Sequence, residues 1–295
     1  MLLERFLFLL TGAFVLLCIG VALLLVASNP GKQPDQPVVA LAPPVTLPPA
    51  PAESPTPTAL PPSPPPSERP SPQQTLDEMV GRAPEYANFF KRLREEFPTE
   101  YAAALGAFAD RRKAAEAAGR NETESVDQYV SEAVSRLRQA RGALAAQADT
   151  GPLSKVFDMQ LKAMRAVAAQ DPRMCVSFLY GGADQDFARF AATRRPLVAE
   201  MALTVLDAIG NGIAKKIERQ PPTEADFKTL ESSLKAKGLN QQAIGALLDG
   251  KMPDPPLDDA KMCAAGQAYL EALRALPEAA RLRIYGLAVE LLGRS

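Results

Sequence analysis

Residues 125–144 read SVDQYVSEAVSRLRQARGAL, and this stretch decides the fold class of the 295-residue chain. Ser125 and Gln128 stand at the spacing at which two side chains exchange hydrogen bonds with the free amides of a helix start. Val126, Val130, Ala133, Leu137, Ala140 and Leu144 follow at alternating intervals of four and three, which puts them on one side of a helix. Asp127, Arg136 and Arg138 fall off that stripe, where a solvated face is expected. The pattern predicts an amphipathic helix that must bury its apolar side against other helices.

Upstream, Thr75-Leu-Asp-Glu78 has the same capping spacing and predicts a helix start. Pro84 opens a second piece, whose stripe of Tyr86, Phe89, Phe90 and Leu93 runs up to Phe97. Pro98-Thr99 starts a third helix with Tyr101, Leu105 and Phe108 inward, and Gly119 is placed to end it. Asn121-Glu-Thr123 has the form of a glycosylation acceptor, although helix capping accounts for Asn and Thr equally well.

Downstream, Thr150-Gly-Pro152 predicts a turn, after which Leu153, Val156, Phe157, Leu161 and Met164 mark a helix ending near Gln170. Asp171-Pro172 reads as the cap and first position of a short apolar piece that stops at Gly181-Gly182. Residues 183–206 predict helix with a break at Pro196; Gly210-Asn-Gly212 is expected to loosen the chain and Pro221-Pro222 to stop it. Thr223 caps a helix carrying Phe227, Leu230 and Leu234 inward, and Gly238 with Leu239 fits a glycine C-cap. Helices over 240–248, 258–275 and 277–292 bring the expected number to about nine or ten. With β-branched runs scarce and no repeat period, residues 75–295 are expected to form an all-α domain, a helical bundle of irregular connectivity.

The remainder of the chain has a different character. Residues 6–27, FLFLLTGAFVLLCIGVALLLVA, form a 22-residue apolar run with no ionisable group. As a helix it would be roughly 33 Å long, enough to cross a hydrocarbon core of about 30 Å. It is expected to be a transmembrane signal anchor that meets the lipid bilayer, preceded by a short tail over 1–5. Val26-Ala27-Ser28 offers a signal-peptidase site, but the run exceeds an h-region and the only basic side chain before it, Arg5, is offset by Glu4. Arg5 and the terminal amine against Lys32 place the N-terminus inside, so the expected location is a single-pass inner-membrane protein with a periplasmic C-terminal domain. Residues 28–74 are expected to be a disordered spacer of polyproline II character, because 17 of the 28 prolines lie between Pro30 and Pro72. Tail, span, Pro-rich stalk and distal domain resemble, in architecture, energy-transducing envelope proteins of the TonB and TolA type, and Golgi enzymes. This span lacks the His that TonB-like anchors carry.

Three of the 33 basic and four of the 34 acidic residues precede Thr75, leaving 30 of each in the domain. A balanced domain gives no reason to expect nucleic acid as a partner. The chain has no His, which excludes Ser-His-Asp and Cys-His catalysis and His-bearing zinc sites. No cofactor or metal is expected. Cys175 and Cys263 are the only thiols outside the apolar run, and in an exported domain such a pair is a disulfide candidate.

Several near-motifs remain. Residues 245–252 imitate a phosphate-binding loop, but Met252 stands where Ser or Thr should hold magnesium. Ser232-Ser-Leu-Lys235 has the SxxK form of serine acyl enzymes without their companion elements. Asp184-Gln-Asp186 has the form of a metal-binding DxD, and helix caps explain it better. Glu231-Ser232 followed by Gly238-Leu-Asn-Gln241 resembles the ES and GLMQ elements of lytic transglycosylases at a shorter spacing, which would make Glu231 a general acid. Two functions are therefore expected in order: a membrane-anchored structural or interaction module with a protein partner in the envelope and no catalytic residue, or a cell-wall glycan hydrolase acting through Glu231.

Overall fold

The computed structural model describes residues 70–119, 125–180, 185–249 and 255–293. The expected anchor at 6–27 and the linker up to Arg69 lie outside them, as do Asn121, Gly181-Gly182, Asp184 and Gly250-Lys251. Among the described residues the chain is all-α, with twelve α-helices and no strand. They are α1 (Pro72–Gly81), α2 (Ala87–Glu96), α3 (Pro98–Ala117), α4 (Val126–Arg141), α5 (Thr150–Ala168) and α6 (Pro172–Leu179). The rest are α7 (Gln185–Thr193), α8 (Arg195–Lys215), α9 (Glu224–Ala236), α10 (Gln241–Asp249), α11 (Asp259–Ala275) and α12 (Glu278–Leu292). Two 3₁₀ segments, Pro84–Tyr86 and Gly142–Gln147, join α1 to α2 and α4 towards α5.

The caps explain most of the boundaries. Ser125 receives the Gln128 amide and donates its own backbone N–H to the Gln128 side chain, the reciprocal arrangement its spacing predicts. Thr223 does the same with Asp226, and Asp171 caps α6 with Pro172 in the first position. Gly119 and Gly238 end their helices at φ 65° and 84°.

Other boundaries differ from expectation. The first helix starts three residues before Thr75: Ser71 and Gln74 form the capping box, with Pro72 at the first helical position, where a missing N–H costs nothing. Thr75 lies within the first turn, its hydroxyl donating to the Ser71 carbonyl. Thr150-Gly-Pro152 is no separate turn but the start of α5, because a proline is tolerated before intrahelical N–H groups are needed. The break expected at Pro196 falls at Arg194, and Pro196 belongs to the first turn of α8. That helix then runs through Gly210-Asn-Gly212 without loosening, to Lys215.

One hydrophobic cluster unites the described helices. Tyr86, Phe89, Phe90, Leu93, Phe97 and Phe108 fill the N-terminal side, with Tyr129 of α4 buried among Phe90 and Phe108. On the other side α5 packs on α6, α8, α11 and α12, and the Phe157 and Tyr285 rings stack 3.6 Å apart at 6°. α8 is the one helix among the described residues long and apolar enough to span a membrane; it packs against α4, α5 and the Gly142–Gln147 segment as a core helix.

That segment is the centre of the fold, clamped between α8 and α12. The sequence pattern carries the stripe of α4 to Leu144, but the α-helix ends at Arg141 and Ala140 is exposed. The reason lies in the partners. A methyl group at Gly212 would lie 1.9 Å from the Leu144 carbonyl oxygen, and one at Gly293 would lie 2.0 Å from the Ala143 nitrogen. Glycine lets backbone meet backbone at both places, and the tightened 3₁₀ turn fits between them.

Candidate functional site

Cys175 of α6 and Cys263 of α11 are both buried, at 0% and 4% exposure, and are joined as a disulfide with a Cα–Cα distance of 5.6 Å. The bond closes a sequence separation of 88 residues. Leu179 and Met164 crowd against Gly266 beside it, Tyr180 donates to the Met262 sulfur at 3.8 Å, and the Gln267 amide approaches the Cys263 sulfur at 3.5 Å. No solvent path is needed for a bond that staples two core helices.

The other residues singled out in the sequence are dispersed along helix surfaces. Glu231 pairs with Lys235 at 2.7 Å one turn away, with 31% of its side chain exposed. A general acid gains its function from a desolvated setting that favours the protonated carboxyl. An exposed ion pair supplies the opposite. Ser232 donates to the Lys228 carbonyl rather than to Lys235, so the SxxK residues make no nucleophile and base pair. Asp186 pairs with Arg189, and residues 245–249 are the end of α10 rather than a phosphate loop.

The charged groups that the structure does bring together act as latches between helices. Asp127, expected on a solvated face, accepts the Tyr86 hydroxyl at 2.7 Å and both Arg195 Nε and Nη2, at 3.0 and 2.9 Å. Burial and the neighbouring Asp127 carboxylate push the Tyr86 hydroxyl well above the ordinary range of a phenol. Asp226 is 5% exposed and takes a bidentate pair from Arg283 at 2.9 and 2.6 Å. The Arg283 hydrogen bonds, with those of Thr223, hold the Asp226 carboxyl down at about 2. Glu100, also buried, receives Arg141 at 2.7 Å.

An opening of about 470 Å³ forms a groove between α12 and the extended segment 217–222. Its walls are Leu144 and Ala143 of the central segment, Ile217, Pro221 and Pro222 of the strap, and Leu287 of α12. Lys216 starts the strap in the left-handed region, φ 52°, and the Ile217 amide then bonds the Gln147 carbonyl at 3.0 Å. Arg219 crosses the groove floor and donates to the carbonyls of Ala146 and Ala148. Burial lowers its pKa from the ordinary arginine value, and Asp149 opposes that shift. Two smaller grooves, about 400 and 410 Å³, lie beside Arg92 and Asp207 and beside Leu239 and Ala265. Glu231 lines none of the three. Sequence reading missed Arg219, because nothing in a loop of mixed polarity marks which basic residue turns inward.

No protein-family model matches the chain, and comparison with curated proteins and with solved structures likewise returns no match. The geometry is therefore the ground for a functional reading.

Proposed function

We propose that this chain is a single-pass envelope protein, anchored in the inner membrane through residues 6–27 and carrying its helical domain on the exported side as a structural or interaction module. The buried Cys175–Cys263 bond is the observation that carries the reading, since disulfides form and persist in oxidising compartments and are rare in the cytosol. The apolar run, long enough to span a bilayer, supplies the means of attachment. The proline-dense stretch supplies reach: fully extended at about 3.1 Å per residue, it would hold the domain up to roughly 130 Å from the membrane. A balanced surface and helices latched by internal ion pairs suit a module that binds by shape.

Three measurements on the native protein test this. Full-length chain is expected to stay with membranes in carbonate, to retain Met1, and to resist alkylation at Cys175 and Cys263 until a reductant is added. Release from membranes with an intact N-terminus, or free thiols at both positions in acid-quenched cells, overturns the reading.

The glycan-hydrolase reading draws no support from the position of Glu231. Glu231→Gln is expected to leave cell-wall turnover unchanged, and a loss of turnover with the fold intact would revive it.

A further inference from the structure

Arg219 lines this groove, and among the described residues no carboxylate lies within ion-pairing distance of it, the charge of Asp149 acting on it from further away. Its guanidinium has five N–H donors and the two carbonyls of Ala146 and Ala148 fix its plane, leaving donors over for a ligand. Arg283, the other arginine of the groove, is different: it is matched by the buried Asp226. The stem of Arg219 is held as well, since a methyl group on Gly286 would approach its Cδ to 3.3 Å. A cation fixed by neutral carbonyls, partly desolvated and walled by Leu144, Ile217, Pro222 and Leu287, gains most from an acceptor that brings its own negative charge and its own apolar flanks. Glu218, exposed on the rim, disfavours a carboxylate placed beside it, which leaves Arg219 as the seat for one.

We propose that this groove receives a segment of a partner protein in which a carboxylate lies between apolar side chains, the carboxylate resting on the free donors of Arg219. The proposal rests on the interaction-module reading and adds to it the chemistry of the partner. Its volume of about 470 Å³ matches a few side chains of an extended peptide rather than a whole folded surface.

The test uses full-length protein in detergent micelles and a random octapeptide library displayed on phage, followed by anisotropy of the recovered peptide carrying fluorescein. Recovered peptides are expected to share Asp or Glu between apolar residues. Replacing that acid by its amide should weaken binding to the native chain roughly tenfold, and should change nothing on Arg219→Lys, which lacks the planar fork. Pro221→Glu, at an exposed position of the groove wall, should weaken binding at least as much while the thermal midpoint moves by no more than a few degrees, which covers the case in which the arginine variant unfolds. Peptides without an acid, an acid whose loss costs the same on both chains, or binding that survives Pro221→Glu each overturn the proposal. So does a rise in peptide affinity on deleting residues 30–69, which would make the chain's own linker the occupant. Envelope proteins cross-linked equally by native and Pro221→Glu chains would refute the groove and leave the module reading standing; no cross-linked partner for either chain would refute both.

Discussion

At the Gly142–Gln147 segment, α8 and α12 come to backbone contact because side chains are missing at 212 and 293, whereas α6 and α11 are held by a covalent bond among large side chains. Both regions belong to one core, but they fail in opposite ways. The first tolerates no added atom, and its cohesion is spread over close-packed backbone and two strap contacts from Ile217 and Arg219. The second tolerates ordinary side-chain variation, as packing around Met164, Leu179 and Met262 can adjust, and depends on a bond that a reductant can remove. A domain built this way ties its stability to the redox state of its surroundings on one side only.

The largest expected effect breaks the covalent side. In the chain-entropy account, opening a loop with a sequence separation of 88 costs about 4 to 5 kcal/mol. Cys175→Ser with Cys263→Ser, or the native chain in excess dithiothreitol, should lose roughly 10 to 15 °C in thermal midpoint by circular dichroism. A loss below a few degrees would show that packing alone holds α6 to α11. Next comes the glycine side, where the sign decides. In an open helical position, alanine for glycine stabilises by about 1 kcal/mol, and Gly106 in α3, with nothing within 4 Å of a new methyl, should show that gain. Gly212→Ala should instead destabilise by at least about 3 kcal/mol in urea unfolding, since the methyl meets a carbonyl oxygen at 1.9 Å. Parallel gains at both sites would dissolve the contrast between the two regions.

How much of this was legible in the sequence follows the same division. Local signals were readable: the Ser125 and Thr223 caps, the Asp171-Pro172 start, the glycine ends at 119 and 238, and the stripes of α2, α5 and α9 all encode their helices in a few neighbouring residues. The all-α class followed from them. Features fixed by distant partners were not readable. Gly210-Asn-Gly212 looks like a flexible break until Leu144, far away in the chain, is seen to occupy the space of the missing side chain. Thr75 and Ser71 offer nested caps, and only the position of Pro72 separates them. Asp127 looks solvated by its place off the stripe, but Arg195 and Tyr86 arrive from other helices. Arg219 follows the same rule, for its carbonyl partners, Ala146 and Ala148, lie in and just after a segment whose 3₁₀ conformation is itself a product of packing.

The smallest of the expected losses sharpens the comparison, because Asp226 joins the strap's far end to α12 and so belongs to the glycine side. Its carboxyl titrates at about 2 in the folded chain against an ordinary 3.8, so the ionised form is favoured by folding. The stabilisation is therefore complete above the unfolded value and disappears as pH falls from about 4 towards 2. A shift of that size corresponds to about 2 kcal/mol, and the low exposure of the carboxylate allows little screening by solvent. Asp226→Asn should lower the unfolding free energy measured in urea at pH 7 by that amount and flatten its fall between pH 4 and pH 2 relative to the native chain. On the disulfide side Glu271 of α11 is also held below the ordinary carboxylate range, by its hydrogen bonds from Lys237 and Arg165, but neither serine replaces a titrating group, so the double serine variant should keep the full acid dependence of the native chain. If that variant also lost it, the two regions would not be energetically separate, and the acid latch would be reporting on the whole core rather than on the strap.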